Sequence, residues 1–226
     1  QGFGDLFQFC RFYAELARRG ARVILQERPQ TFGLMRSVEG LAECVPYNAP
    51  PPTCDYRIYN ASLMRALGLR LNTIPAPIPY LHADPARVTH WRERLRPTQR
   101  RRIGICWGGL GGSAMQRARR LDRTTLERLL GADADFVSLQ FKAEEEAPLL
   151  AAHDVQHFGA DTRDFAELAA LIETLDLVIS IDTNVAHIAG GLGKPVYIML
   201  PFIADWRWLQ QREDSPWYPH AKLFRQ

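Results

Sequence analysis

The stretch Leu177-Val-Ile-Ser-Ile-Asp182-Thr183-Asn184-Val185-Ala186-His187 constrains the fold more than any other part of this 226-residue chain. Leu177 to Ile181 is almost continuously apolar, as a strand covered on both faces of a parallel sheet must be. Helical spacing begins at once: Asn184 to Leu192 reads as a short helix, stopped by Gly193 and Pro195, and Val196 to Leu200 reads as the next strand. In such sheets ligands bind outside the carboxyl ends of the strands. The first amides of the helix have no partner within it, and its dipole favours an anion. Thr183 can cap the helix or donate to a phosphate oxygen. His187 lies one turn further on, within reach of a phosphate or ribose. The same residues also fit an ordinary strand-to-helix turn, with Asp182 and Thr183 as caps and His187 in the core.

The rest of the chain repeats the alternation. Residues 6–19 read as a helix with Leu6, Phe9, Cys10, Tyr13, Leu16 and Ala17 on one face, ended by Gly20 as a left-handed cap. Arg22 to Gln26 reads as a buried strand and Asp55 to Tyr59 as a second one, amid a proline-rich loop. Residues 73–83 form an extended connector. Asp84-Pro85 starts a helix with Val88, Trp91 and Leu95 on one face, and Pro97 stops it. The domain boundary is placed there, giving residues 1–97 and 98–226. In the second part, strands are expected at Ile103 to Trp107 and Phe136 to Gln140. A helix is expected at Leu121 to Leu130, and another behind the capping box Asp164-Phe165-Ala166-Glu167. Strands alternating with helices give an α/β doubly wound fold.

Three further places could carry chemistry. The loop after Trp107 holds Gly108, Gly109, Gly111 and Gly112, with Arg117, Arg119 and Arg120 behind it. Amides of a glycine loop backed by arginines suit a diphosphate, although no G-K-[ST] follows to make a P-loop. A mobile surface loop is the competing reading, favoured for Arg117. Gly2-Phe3-Gly4-Asp5 opens the first helix. A dinucleotide fingerprint fits poorly, because Phe7 stands where its third glycine belongs; Asp5 is either a helix cap or a general base for an acceptor hydroxyl. Asp205-Trp206-Arg207-Trp208 and Ser215-Pro216-Trp217-Tyr218-Pro219 are dense in rings that either stack on a sugar or base, or wedge the last helix in place. Asp133-Ala134-Asp135 precedes a strand instead of ending one, so it reads as a turn, and the histidines lack metal-ligand spacing; no metal and no cofactor are expected.

A net charge of +3 is too small to argue for nucleic acid, and its mainly arginine origin tilts toward a phosphorylated small molecule. No run approaches the ~18 apolar residues of a membrane span. Four cysteines without a C-x-x-C pair and no visible signal peptide lead to an expectation of a cytoplasmic protein with reduced thiols. The opening on Gln1-Gly2-Phe3-Gly4-Asp5 leads to the expectation of a piece of a longer protein.

The segments QGFGDLFQFCRFYAELARRGARVIL, IPAPIPYL, RIGICWGG, DFAELAALIETLDLVISIDTNVAHIAGGLGKPVYIMLP, DWRW and EDSPWYPHAKLFRQ together resemble the glycosyltransferase-like C-terminal region of bacterial tetratricopeptide-repeat proteins. That region is similar in turn to the ADP-heptose:lipopolysaccharide heptosyltransferases. The resemblance implies a GT-B fold of two Rossmann-like domains facing a cleft, here with a shortened N-terminal half. It implies metal-independent, inverting transfer from a nucleotide-diphosphate sugar to a polypeptide or glycan acceptor. Asp5 would be the base. The family's phosphate-binding motif would fall on Asp182, Thr183 and His187, and its basic residue on Arg119 or Arg120; Trp107, Gly108, Gly109, Gln140 and Asn184 complete the expected donor set. Asn184 departs from the glycine of the family's Asp-Ser/Thr-Gly-x-x-His motif. A non-catalytic partner-binding module and a nucleotide-sugar epimerase are the alternatives on the same fold.

Overall fold

The structure, a computed structural model, describes residues 2–75, 77–109, 114–162 and 164–226. Helix α1 (Phe3–Phe9) runs through a 3-10 turn into α2 (Tyr13–Arg18), and Gly20 follows at φ +89°, the left-handed end expected from the sequence. Strand β1 (Val23–Glu27), helix α3 (Phe32–Met35) and strand β2 (Leu41–Pro46) make a two-stranded parallel sheet. The second strand is therefore at 41–46. The expected strand at Asp55 to Tyr59 is absent, and Tyr56 there is 92% exposed. The prolines at 50–52 have no N–H to give to a ladder, and the segment that follows them runs over the surface. Helix α4 (Leu63–Ala66) and the connector lead to α5 (Pro85–Arg94), whose cap Asp84 accepts from the Ala86 amide at 2.8 Å.

The second sheet is larger. It is built from β3 (Arg102–Cys106), α6 (Ala114–Arg119), α7 (Arg123–Leu130), β4 (Asp135–Ser138), α8 (Ala147–Ala152), β5 (Gln156–His157), α9 (Phe165–Glu173), β6 (Leu177–Ile181), α10 (Asn184–Gly191), β7 (Val196–Leu200) and β8 (Ala221–Arg225). The spatial order is β5-β4-β3-β6-β7-β8, with every neighbouring pair parallel. Counted from β3, this is the 3-2-1-4-5-6 order of a dinucleotide-binding sheet, and the order reverses between β3 and β6.

Alternation along the strands separates two cores. Ile105 and Phe136 face one side, with Leu126, Leu130, Leu149 and Leu150 of α7 and α8; Cys106 and Val137 face the other, with α9 and α10. That second core continues without a break into Leu6, Phe7, Phe9 and Phe12, and into Leu34, Trp91, Trp208 and Tyr218. Where the sequence leads to a second Rossmann-like unit, the described residues before 97 carry two strands, and their helices lie on α9 and α10. Glu167 accounts for part of this docking. Asp164 caps α9, accepting from the Glu167 amide at 2.9 Å, but the Glu167 carboxylate does not close the capping box. It takes Arg87 Nη1 at 2.7 Å and Trp91 Nε1 at 2.9 Å from α5.

Candidate functional site

The reversal point of the sheet defines where the site lies. Gly108 and Gly109 follow β3, and Asp182, Thr183 and Asn184 follow β6; a Cβ built on Gly109 would stand 3.9 Å from Thr183 Cγ2. Gln140, beyond β4, fixes the first loop: its Oε1 accepts from the Gly108 amide at 3.0 Å. The ring of Trp107, expected among the donor contacts, is buried with Leu126 and Leu130 on the far face of the sheet. Gly111 and Gly112 lie outside the described residues.

Thr183 is the N-cap of α10, yet its side chain makes no capping bond. Its Oγ1 meets Ser180 Oγ at 3.2 Å instead. Both Thr183 and Asn184 are half-buried, and a Cβ on Gly4 of α1 would stand 3.8 Å from the Asn184 nitrogen, so the start of α10 lies beside α1 and is not stoppered by its own cap. The side chain at Asn184, where the resembled motif has glycine, stands at that mouth.

The two candidate arginines separate. Arg119, at the end of α6, turns toward the site: Nη1 lies 3.2 Å from Asp182 Oδ2 and Nη2 3.6 Å from Asp205 Oδ2. Arg120 turns away and pairs with Glu145 and Glu146. Arg119 is the last residue of α6 and Arg120 the first beyond it, and the two carboxylates near α8 hold the Arg120 guanidinium on its own side. The stretch after the glycines, where a mobile loop is the competing reading for Arg117, is helical in the structure.

Asp5 is not the N-cap of α1 but its third residue, with Oδ2 accepting from the Gly2 amide at 3.3 Å. Its Oδ1 accepts from Arg207 Nη2 at 2.8 Å. Arg207 and Asp205 are site residues that sequence reasoning passes over, both in a stretch read for its rings. The Arg207 guanidinium also donates to Asp205 Oδ1 at 2.9 Å and Gln8 Oε1 at 2.7 Å. Burial opposes the Arg207 charge, and Asp205 and Asp5 outweigh it, so its pKa lies above the ordinary arginine value.

His187 is enclosed. It stacks on Trp208, and Gly4 of α1 covers it closely enough that a Cβ there would stand 2.9 Å from its Cδ2. Nδ1 pairs with Tyr218 Oη at 2.8 Å and Nε2 faces Arg207 Nη1 at 3.4 Å. Burial, then Arg207, Arg11 and Arg119, push its pKa well below the ordinary histidine range, so it is neutral. With Nε2 facing a guanidinium, the consistent tautomer carries its proton on Nδ1. Asp182 is also buried; that raises its pKa, against the pull of Arg119 and Arg207. Asp5, Asp182, Asp205, Arg119, Arg207 and His187 thus form one network at the head of α10.

Of the aromatic stretch, Trp208, Trp217 and Tyr218 are buried and wedge against α10 and α1, while Trp206 is 55% exposed. Asp133 and Asp135 share Arg100 at the opposite end of the sheet. Among the described residues, no three His, Cys, Asp or Glu side chains gather as a metal site. No described helix is long and apolar enough to cross a membrane. All four cysteines are free thiols.

With its parallel sheets the protein has an α/β fold similar to that of the GT-B glycosyltransferases. Two solved structures share this fold. One is the ADP-heptose lps heptosyltransferase II of E. coli, with a TM-score of 0.66 and 14% identity over 99% of this chain and 88% of that one. The other is a glycosyl transferase of family 9 from Veillonella parvula, with a TM-score of 0.64 and 11% identity over 100% of this chain and 84% of that one. Among curated proteins, Protein FlbA of Caulobacter vibrioides is 32% identical over 181 residues, 75% of this chain. The chain spans about 30% of the length of that relative. No protein-family model matches the chain.

Proposed function

We propose that this chain is an inverting glycosyltransferase that uses a nucleotide-diphosphate sugar without a metal. The observation that carries the reading is the uncapped start of α10 at the reversal point of a 3-2-1-4-5-6 sheet, with Arg119 beside it. The donor diphosphate lies against the Thr183–Asn184 amides and the Gly108–Gly109 loop. Arg119 and the helix dipole balance the charge that grows on it as it leaves. The acceptor oxygen attacks the anomeric carbon from the face opposite the diphosphate. The carbon–oxygen bond to the diphosphate breaks, and the acceptor proton passes to Asp5. His187, neutral and enclosed, supports the head of α10 from beneath. Fold neighbours that are glycosyltransferases support the class.

Isothermal titration of inorganic pyrophosphate, UDP, GDP, ADP and CDP tests the reading. At least one is expected to bind. Arg119→Gln is expected to weaken it about tenfold or more, as loss of a charge-assisted contact does, and Arg120→Gln to leave it nearly unchanged. Absence of binding at millimolar concentration, or equal effects of the two substitutions, would overturn it.

The convergence of three aspartates and a histidine gives the epimerase alternative some substance. Against it, Asp182 and His187 are 5% and 2% exposed and do not reach a sugar. Product analysis separates the two: free nucleoside diphosphate with a glycosylated acceptor, or an isomerised donor.

A further inference from the structure

The network at the head of α10 is a chain of alternating charges. Arg119 Nη2 lies 3.6 Å from Asp205 Oδ2, Asp205 Oδ1 accepts from Arg207 Nε at 2.9 Å, and Arg207 Nη2 donates to Asp5 Oδ1 at 2.8 Å. One carboxylate thus serves two arginines, one oxygen to each. Asp205 is held in place, since it caps the 3-10 turn Trp206–Trp208 and accepts from the Arg207 amide at 3.2 Å. Arg207 is held too. Its fork is shared among Asp205, Asp5 and Gln8, and its side chain is 11% exposed. It therefore acts through its partners and not by direct contact with a substrate.

Three carboxylates surround two guanidiniums here, and His187 contributes no charge. An arriving diphosphate competes with Asp205 and Asp182 for Arg119. Once Arg119 turns to phosphate, the Asp205 carboxylate falls to Arg207 alone, and Arg207 holds Asp5 less firmly. We propose that Arg207 is a positioning residue joining the diphosphate subsite to Asp5, with Asp205 as the shared carboxylate through which occupancy at one end is felt at the other. The inference rests on the donor reading above and adds its regulation: Asp5 is restrained while the site is empty and released to take the acceptor proton once the donor is in place. Because linkage is reciprocal, neutralising Asp5 must strengthen diphosphate binding by the same route.

The test is a double-mutant cycle on the whole chain, titrating inorganic pyrophosphate and the four nucleoside diphosphates. Asp5→Asn is expected to tighten binding about tenfold in the unaltered background, within the usual span of coupling between sites. In Asp205→Asn the same change is expected to give less than about threefold, the residue of a general charge effect. Asp205→Ser, which keeps a capping oxygen, replaces Asp205→Asn should that variant not fold, as judged by circular dichroism. Arg207→Lys keeps the charge but offers no planar fork to join Gln8, Asp5 and Asp205. It is expected to reduce the Asp5→Asn effect to that of the Asp205 variants, a result that simple charge balance would not give. An Asp5→Asn effect of equal size in all backgrounds overturns this inference and leaves the donor reading standing. Failure of every probe to bind the unaltered chain overturns both.

Discussion

His187 has two roles open to it in the sequence, ligand contact and core packing, and its surroundings decide between them. A ring stacked on Trp208, under Gly4, with both nitrogens engaged, is a support for the helix start. Its depressed pKa has a consequence for stability. The unfolded chain binds a proton at His187 below about pH 6.5, and the folded chain does not, so stability is lost as pH falls through that value. Asp182 has the opposite sign: its raised pKa gives stability that is present below the ordinary carboxylate value and lost as pH rises. Urea titrations at pH 7.5 and pH 5.5 separate them. The acid loss is expected to be smaller in His187→Gln than in the unaltered chain. Equal losses would mean that His187 charges without cost in the folded state.

At the scale of elements, α10 is the piece on which the site depends. Its start follows β6 where the strand order reverses, and its body lies between the sheet, α1 and the C-terminal aromatic segment. Small residues make this possible. A Cβ on Gly190 would come within 2.4 Å of the Tyr218 ring, and one on Gly191 within 2.6 Å of Leu81. Gly190→Ala must push Tyr218 away and disturb its bond to His187. We expect a loss of about 1–3 kcal/mol by urea unfolding, as overpacking of a close contact gives, with a weaker hold on any diphosphate. A stability equal to that of the unaltered chain would mean that the ring moves freely. The helix-forming pattern at Asn184 to Leu192 is legible in the sequence, but the partners of its faces are not, because Tyr218 and Leu81 are remote in the chain.

For the whole molecule, the N-terminal helices and the six-stranded sheet share one apolar core, bound further by buried Arg11. That guanidinium donates to the Trp217 carbonyl at 2.9 Å and lies 4.4 Å from the Tyr80 ring. A shared core of this kind is expected to unfold as a unit. Far-ultraviolet circular dichroism and tryptophan fluorescence should therefore give coincident urea transitions. Residues 98–226 alone, with α9 and α10 uncovered, should show no cooperative transition. Two separated transitions would instead mean that residues 1–97 and 98–226 are independently stable.

Local periodicity and capping residues were enough to place most helices and four strands of the large sheet, and to mark Asp182 to His187 and the loop after Trp107 as places that could carry chemistry; that β3 and β6 lie side by side comes from the ladder between them. Periodicity and caps depend on residues a few positions apart, whose hydrogen bonds and apolar spacing are written along the chain. Short β5, edge strand β8 and the strand at 41–46 lack such patterns. Their strandedness comes from the ladder partner beside them. The choice of Arg119 over Arg120, the closure over His187 and the entry of Arg207 between Asp5 and Asp205 were decided by tertiary structure alone. Each depends on which way a side chain points once distant segments have packed, and Asp5 and Arg207 are brought to 2.8 Å from opposite ends of the chain.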